Sequence, residues 1–396
     1  MTLKNKKIAV IMGDDFPAAT HTFLVRKYEK LIQKGINLTI FTKGEGDWTL
    51  FPGVKEKLNF KRLPNSIISL LFYLFFAFFK APLKTLDLMR RMRGKSLATL
   101  RNALFFIKNH YDIIHFEFGH DGLAFEELIK LKKIIGTRFI QTFRGSDINF
   151  VPLRRGERVY DFVFRNCDYF HFVSKTLLER ARQLGYDKDN FILIPSSINT
   201  DYFKLSNERT TNNKDKTILI SVGGLVWLKG YEYSLQAMKI LKNNGFKFVF
   251  YIIGDGNYKD AILQAIQDLE LEDCVFLLGK KDRKEVREYL GKADIFIQAS
   301  LAEGFGNSFL EASAMELPCV VTDAGGCPEA IIDGKTGFVV SKRNPEALAD
   351  KIKILIKNPL LRAKMGKLGR AHIIKNYTLD KQVEDNIKMY EKVCSS

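Results

Sequence analysis

Residues 300 to 331 read SLAEGFGNSFLEASAMELPCVVTDAGGCPEAI. Glu303 and Glu311 bracket a bend made of Gly304, Phe305, Gly306, Asn307 and Ser308. A helix starting at Asn307 or Ser308 places its free N–H groups at that bend, where they can face an anion or sugar oxygens. A carboxylate accepts two hydrogen bonds at once, which suits neighbouring hydroxyls of a ribose or hexose. Glu311, beside Phe309 and Leu310, would be costly to bury without such a partner. Taken alone, the spacing equally describes one helix-capping glutamate and one solvated one. DIFIQAS before the bend and PCVVTD after the helix both read as strands, so the stretch is a strand–loop–helix–strand unit of an α/β domain.

The same alternation fills the second half. TILISVGGL, KFVFYIIGDG and CVFLLG are strands, separated by the helical patterns GYEYSLQAMKILKNNG and YKDAILQAIQDLEL. Three further groups fall at strand-to-helix junctions. In SVGGLVWLKG, Gly223 and Gly224 end a strand and Lys229 precedes the next helix, a pairing of amides and one cation that suits a phosphate. YIIGDG ends at Gly254, Asp255 and Gly256, and lacks the G-x-G-x-x-G spacing of a dinucleotide fingerprint. Gly279, in FLLGKKDRKEV, is placed to border a base pocket.

The first half repeats the alternation through KIAVIMG, NLTIFTKG, YDIIHFEFG, RFIQTFRGSD, YFHFVS and FILIPSSIN. KLSNERTTNNKDK, 204–216, is polar and without apolar periodicity, and reads as a linker. The expected organisation is a first Rossmann-like domain over 1–203 and a second over 217–375. A terminal helical segment, 376–396, follows. Ligands of such sheets bind beyond the carboxyl ends of the strands, which predicts two facing domains with a cleft between them.

The composition is that of a folded protein, with 46% apolar and 27% charged residues in 396. Five scattered cysteines, Cys167, Cys274, Cys319, Cys327 and Cys394, predict free thiols. The opening MTLKNKKIAVIMGDDFP reads as a first strand rather than a signal peptide, so a cytoplasmic location is expected. The formal charge of +17 suits an anionic partner: nucleic acid, membrane surface or nucleotide. Against nucleic acid, the basic residues cluster beside an apolar helix and are not interleaved with stacking aromatics. That helix, IISLLFYLFFAFF at 67–79, is too short for a membrane span of about 18 residues or more. Lys80, Lys84, Arg90, Arg91, Arg93, Lys95 and Arg101 follow it against one acid, Asp87. Two readings stay open: a core-facing helix followed by a solvated one, or a patch over 67–101 that lies on an anionic membrane surface.

These groups together resemble the retaining, nucleotide-sugar-dependent glycosyltransferases of family 4, which have the two-domain GT-B fold. The bacterial enzymes of lipopolysaccharide, capsule and exopolysaccharide synthesis are the most similar. Glu303 and Glu311 meet the family's E-x7-E signature, and GGLVWLKG matches its glycine-arginine-leucine…lysine-glycine segment, with Gly224 in the arginine position. The resemblance implies that Glu303 meets the donor sugar and Glu311 the nucleotide ribose. Lys229 would meet the diphosphate, and the amides of Gly304, Phe305 and Gly306 the sugar and phosphate. Gly223, Gly224, Gly254, Gly256 and Gly279 complete the donor set.

FPAATHTFLVRK, DIIHFEFGHDG and QTFRGSDI resemble the family's acceptor-side segments, with Glu117 and Arg144 each standing where a histidine is usual. They give Phe16, His21, Arg144, Asp147 and Ser174 as acceptor-side candidates, with Asn199 a minor one. His115, Glu117 and His120 join Glu303 and Lys229 as catalytic candidates, because an imidazole near a carboxylate can hold a proton near neutrality. With no nucleophilic carboxylate evident for the sugar's other face, the resemblance favours the family's front-face, leaving-group-assisted route over a covalent double displacement. The final helix would cross back onto the first domain. No metal-ligand spacing occurs, and no cofactor or metal is expected besides the donor. The competing readings are a non-catalytic membrane-associated scaffold of the same fold, and an epimerase- or phosphorylase-like enzyme.

Overall fold

The computed structural model describes residues 3–13, 15–17, 22–51, 53–64, 66–91, 96–205 and 216–395. They form two compact units: Met1–Val173 with Leu177–Ile194 and Gln382–Ser396, and Ser174–Thr176 with Pro195–Lys381. Residues 195–203, grouped with the first half in the sequence reading, thus belong to the second unit. Most of the 204–216 linker, residues 206–215, lies outside the described residues.

The first unit holds a seven-stranded parallel sheet of β1 (Ile8–Met12), β2 (Leu38–Thr42), β3 (Phe60–Arg62), β4 (Ile113–Phe116), β5 (Arg138–Phe143), β6 (Tyr169–Phe172) and β7 (Phe191–Leu193). Their order is β3-β2-β1-β4-β5-β6-β7, every pair parallel. The second unit holds β8 (Thr217–Val222), β9 (Phe248–Ile253), β10 (Val275–Gly279), β11 (Ile295–Gln298), β12 (Cys319–Thr322) and β13 (Gly337–Val340). Their order is β10-β9-β8-β11-β12-β13, again all parallel. Every residue of β1, β4, β6, β11 and β12 is buried, which explains why these strands read as apolar runs: helices cover both faces.

Both sheets reverse their strand order at one place, between β1 and β4 and between β8 and β11. Loops leaving the carboxyl ends of strands at such a switch point diverge and leave a crevice for a ligand. Gly223, Gly224, Lys229 and Glu303 follow β8 or β11, and Phe16 and Glu117 follow β1 or β4, whereas Gly254, Gly256, Arg144, Asp147 and Ser174 follow other strands. The last helix, Leu379–Ser395, crosses back as expected: from Gln382 onward it belongs to the first unit. Its Tyr390 is buried there, with its hydroxyl 2.9 Å from His115 Nδ1.

The core-facing reading of 67–79 fails. In the helix Ile67–Lys80 only Ala77 is buried, while Ile67, Ile68, Leu71, Phe72, Phe75, Phe76, Phe78 and Phe79 are exposed. The inner side of this helix rests on the helix Leu97–Asn109, with Tyr73 edge-on to Phe105 at 5.3 Å and Lys108 over the rings of Phe72 and Phe76. Leu83, Leu86 and Met89 of the next helix, Pro82–Arg91, extend the exposed surface. Among the described residues no helix is long and apolar enough to cross a membrane. The cysteines are free thiols, all buried except the half-buried Cys394.

Candidate active site

In the second unit the loops after β8 and β11 are stitched together. Leu301 N–H donates to Leu228 O at 2.8 Å, and Gly230, with φ of 58°, lies so near Ala299 that a Cβ would come within 2.1 Å of its carbonyl oxygen. This brings Lys229 to Glu303, with Nζ 2.6 Å from Oε2 and both side chains partly open to solvent. Glu303 Oε2 also accepts from Gln298 Nε2 at 2.9 Å and from Ser300 Oγ at 3.4 Å. Its Oε1 accepts no hydrogen bond from the described residues. Behind the loop, a Cβ at Gly325 would lie 1.7 Å from Glu303 O, so this turn can approach only as glycine.

The helix after the bend spans Asn307–Ala314, with Gly306 as its N-cap. Gly304 is half-buried, and Phe305 packs its ring on Tyr377 at 5.3 Å, so Phe305 offers the site its backbone. The Glu311 carboxyl has no hydrogen-bond or ion-pair partner among the described residues. Burial pushes its carboxyl up to about 7, and the Arg283 charge opposes the shift.

The glycine turns pack against each other. Gly223 N–H donates to Ile253 O at 3.0 Å and Leu225 N–H to Asp255 O at 2.9 Å. A Cβ at Gly254 or Gly256 would come within 1.9 Å of Gly223 O or 2.4 Å of Leu225 O, respectively. Those two glycines therefore shape the turn. Gly279 caps the neighbouring turn by accepting the Gly254 N–H at 3.0 Å. Gly224 faces open space, its nearest neighbour Asp255 O at 4.0 Å from a built Cβ.

The first unit is arranged differently. Glu117, just past β4, is wholly buried and accepts from Lys27 Nζ and the Tyr28 hydroxyl on one oxygen and from Arg144 on the other, Arg144 Nε at 3.0 Å. Burial opposes its charge, but Arg144 and Lys27 outweigh burial and hold the carboxyl below the usual range. Burial pushes Lys27 down to about 8, Glu117 partly restoring it. Arg144 also lies over Phe23, 5.1 Å from the ring centre.

His115 is buried with both nitrogens engaged, by Tyr390 and by Thr142 Oγ1 at 2.7 Å. Thr142 bridges on to His171 at 3.0 Å. Burial, then the nearby Lys27, drives the His115 imidazole well below its usual value. The protonic role expected of it thus meets a neutral ring locked into the sheet. Asp147 accepts backbone N–H groups from Gly119, Arg144, Gly145 and Ile148, and Asp121 accepts those of Gly13 and Phe118. Between them they hold the loops after β1, β4 and β5. His120 stacks on Phe118 at 5.4 Å and is partly exposed. Phe16 is fully buried, edge-on to Trp48, and has no side-chain surface to offer an acceptor. Ser174 is buried in the short segment of the second unit, beside Lys175 and Thr176, whose N–H groups donate to Glu329. His21 lies outside the described residues. Among the described residues no group of three or more His, Cys, Asp or Glu is placed to hold a metal.

Residues 203–372 match the family model of glycosyl transferases group 1. The chain carries a domain of that family. Its relatives include the amylovoran biosynthesis glycosyltransferase AmsK of Erwinia amylovora, 29% identical over 60% of this chain and 60% of that protein. The N-acetyl-alpha-D-glucosaminyl L-malate synthase of Bacillus anthracis is 29% identical over 72% of this chain and 76% of its own length. Among solved structures, Anabaena HepE in complex with UDP-glucose superposes with a TM-score of 0.75 at 14% identity, over 99% of this chain and all of that one. At that identity the likeness establishes the fold, which is GT-B.

The sequence reading missed Lys27, Tyr28, Asp121, Gln298 and Glu329, and took Ser308 for its backbone N–H alone. Gln298 alone carried a visible signal, a polar residue ending the otherwise apolar strand IFIQ.

Proposed function

We propose that the chain transfers a hexose from a nucleoside-diphosphate sugar to a hydroxyl of a glycan or lipid-linked glycan, with retention at the anomeric carbon. One observation carries this reading. At the β8/β11 switch point Lys229 and Glu303 are paired at 2.6 Å, while Glu303 Oε1 and the Glu311 carboxyl have no donor among the described residues. Lys229 takes the diphosphate, Glu303 Oε1 a sugar hydroxyl, and Glu311 the ribose. As the bond from the anomeric carbon to the diphosphate oxygen breaks, negative charge grows on the leaving group. Lys229 and the N–H groups opening the helix Asn307–Ala314 stabilise that charge more in the transition state than before it. The acceptor oxygen bonds to the anomeric carbon on the face that the diphosphate leaves, and its proton passes to the departing phosphate oxygen.

The loops after β1, β4 and β5 take the acceptor, with Arg144 and His120 as the contacting side chains. Glu117, His115 and Asp147 position them. Support for the substrate class comes from AmsK, named for amylovoran biosynthesis, and from HepE, which binds UDP-glucose.

The exposed face of Ile67–Lys80, extended by Pro82–Arg91, rests on the anionic inner surface of the plasma membrane, with Lys84, Arg90, Arg91 and Arg101 at the lipid head groups. Each cation near such a surface contributes about 1 kcal/mol. Co-sedimentation with phosphatidylglycerol vesicles should therefore be strong, salt-sensitive and lost in a Phe75→Asp, Phe79→Asp double variant. Equal binding by that variant would exclude this face.

The donor reading is tested by saturation-transfer NMR against UDP-, GDP-, ADP- and TDP-sugars. One should bind selectively, and Glu311→Ala should lose it. Absence of binding by a folded sample of the wild type would refute the reading.

A further inference from the structure

Building on that donor reading, we propose that Gln298 is a positioning residue that aims Glu303 at the sugar. Gln298 ends β11 and is 2% exposed. Its Nε2 donates to Glu303 Oε2 at 2.9 Å and to Ser300 Oγ at 3.0 Å, and its Oε1 accepts from Ser308 Oγ at 2.8 Å. One amide therefore ties the strand end, the loop carrying Glu303 and the first turn of the helix Asn307–Ala314.

The chemistry fixes which way the amide faces. An ionised carboxylate only accepts, so the NH₂ end must meet Glu303 and the carbonyl end must meet a hydroxyl. Ser308 supplies that hydroxyl. Thr322 Oγ1 in turn holds Ser300 O at 2.6 Å. Three donors, Lys229, Gln298 and Ser300, converge on Oε2 and turn Oε1 outward. The terminal torsion of a glutamate is otherwise soft, and Lys229 alone would leave the carboxylate free to rotate about one contact. A second cation in place of the amide would neutralise Glu303 and weaken its hold on a hydroxyl. A neutral donor fixes the carboxylate and leaves its charge available.

The test compares wild type, Gln298→Leu and Ser308→Ala by calorimetric titration with UDP-glucose and UDP, or with the sugar and free nucleotide that the NMR panel selects. Thermal unfolding runs alongside. Gln298→Leu should bind the free nucleotide like wild type and lose about tenfold or more in affinity for the nucleotide sugar, the effect of one hydrogen bond to a charged group. Ser308→Ala, which keeps the donor but frees the amide, should lose roughly threefold on the sugar alone. If nucleotide and nucleotide-sugar affinities fall together, or if neither changes, Gln298 is structural and the proposal is wrong. Should Gln298→Leu not fold, the Ser308→Ala ratio decides. The wild-type titration separates the two levels: no binding there refutes the donor reading, and this inference with it.

Discussion

Glu117 and Glu303 occupy matching places in the two sheets. Each follows the strand that lies across the switch point from the first strand of its unit, β4 beside β1 and β11 beside β8. Glu117 is saturated, with Lys27 and Tyr28 on one oxygen and Arg144 on the other. Glu303 has all its donors among the described residues on one oxygen and none on the other. A carboxylate whose lone pairs are all used inside the fold is scaffold, because any ligand must first break a buried ion pair. One held by a single oxygen is fixed and still able to accept. Corresponding loops of the two sheets have thus been put to two uses, and partner count separates them.

The comparison is broken most easily through stability. Glu117→Ala leaves Lys27 and Arg144 without their anion, and should cost about 3–5 kcal/mol in urea unfolding. Glu303→Ala should change stability by less than about 1 kcal/mol, since its pair with Lys229 is partly solvated. Equal losses would erase the distinction. Next, Lys229→Ala should lower kcat/KM for transfer about a hundred- to a thousandfold with little change in unfolding.

Glu311 sharpens the comparison through pH. Its carboxyl is raised from 4.5 to about 7, so between those values the folded state holds the proton more tightly than the unfolded one. Its contribution to stability is full below pH 4.5 and is lost as pH rises through 7. Glu311→Gln should remove that decline, on the order of 2 kcal/mol once partial solvent access is allowed for, as read from urea unfolding at pH 5 and pH 8. An unchanged pH dependence would mean that Glu311 is solvated. The smallest effect is expected at Gly224, which has open space before it. Gly224→Arg should raise nucleotide affinity by roughly three- to tenfold through one added phosphate contact.

The fold was legible because buried parallel strands must be apolar on both faces, and loops at their ends must turn on glycine. Glu303, Glu311 and Lys229 were legible for the same reason: they stand at those junctions. The scaffold around Glu117 was not. Lys27 lies in the amphipathic helix Thr22–Gln33 and looks like a solvated residue, yet it is 1% exposed because an anion 90 residues later meets it. His115 looked protonic because it stands near the Glu117 carboxylate, and only Tyr390 from the far end of the chain and Thr142 show its ring to be locked. The segment 67–79 was ambiguous because an apolar helix looks alike whether it meets core or lipid. Its exposure settles that it does not meet the core.

The most direct measurement is a crystal structure of the protein with the nucleotide sugar that the NMR panel selects. It should show Glu303 Oε1 within hydrogen-bond distance of a sugar hydroxyl, Lys229 on the diphosphate, and Glu117 still paired with Lys27 and Arg144. A donor bound away from the β8/β11 switch point, or one that leaves Glu303 Oε1 untouched, would contradict the account.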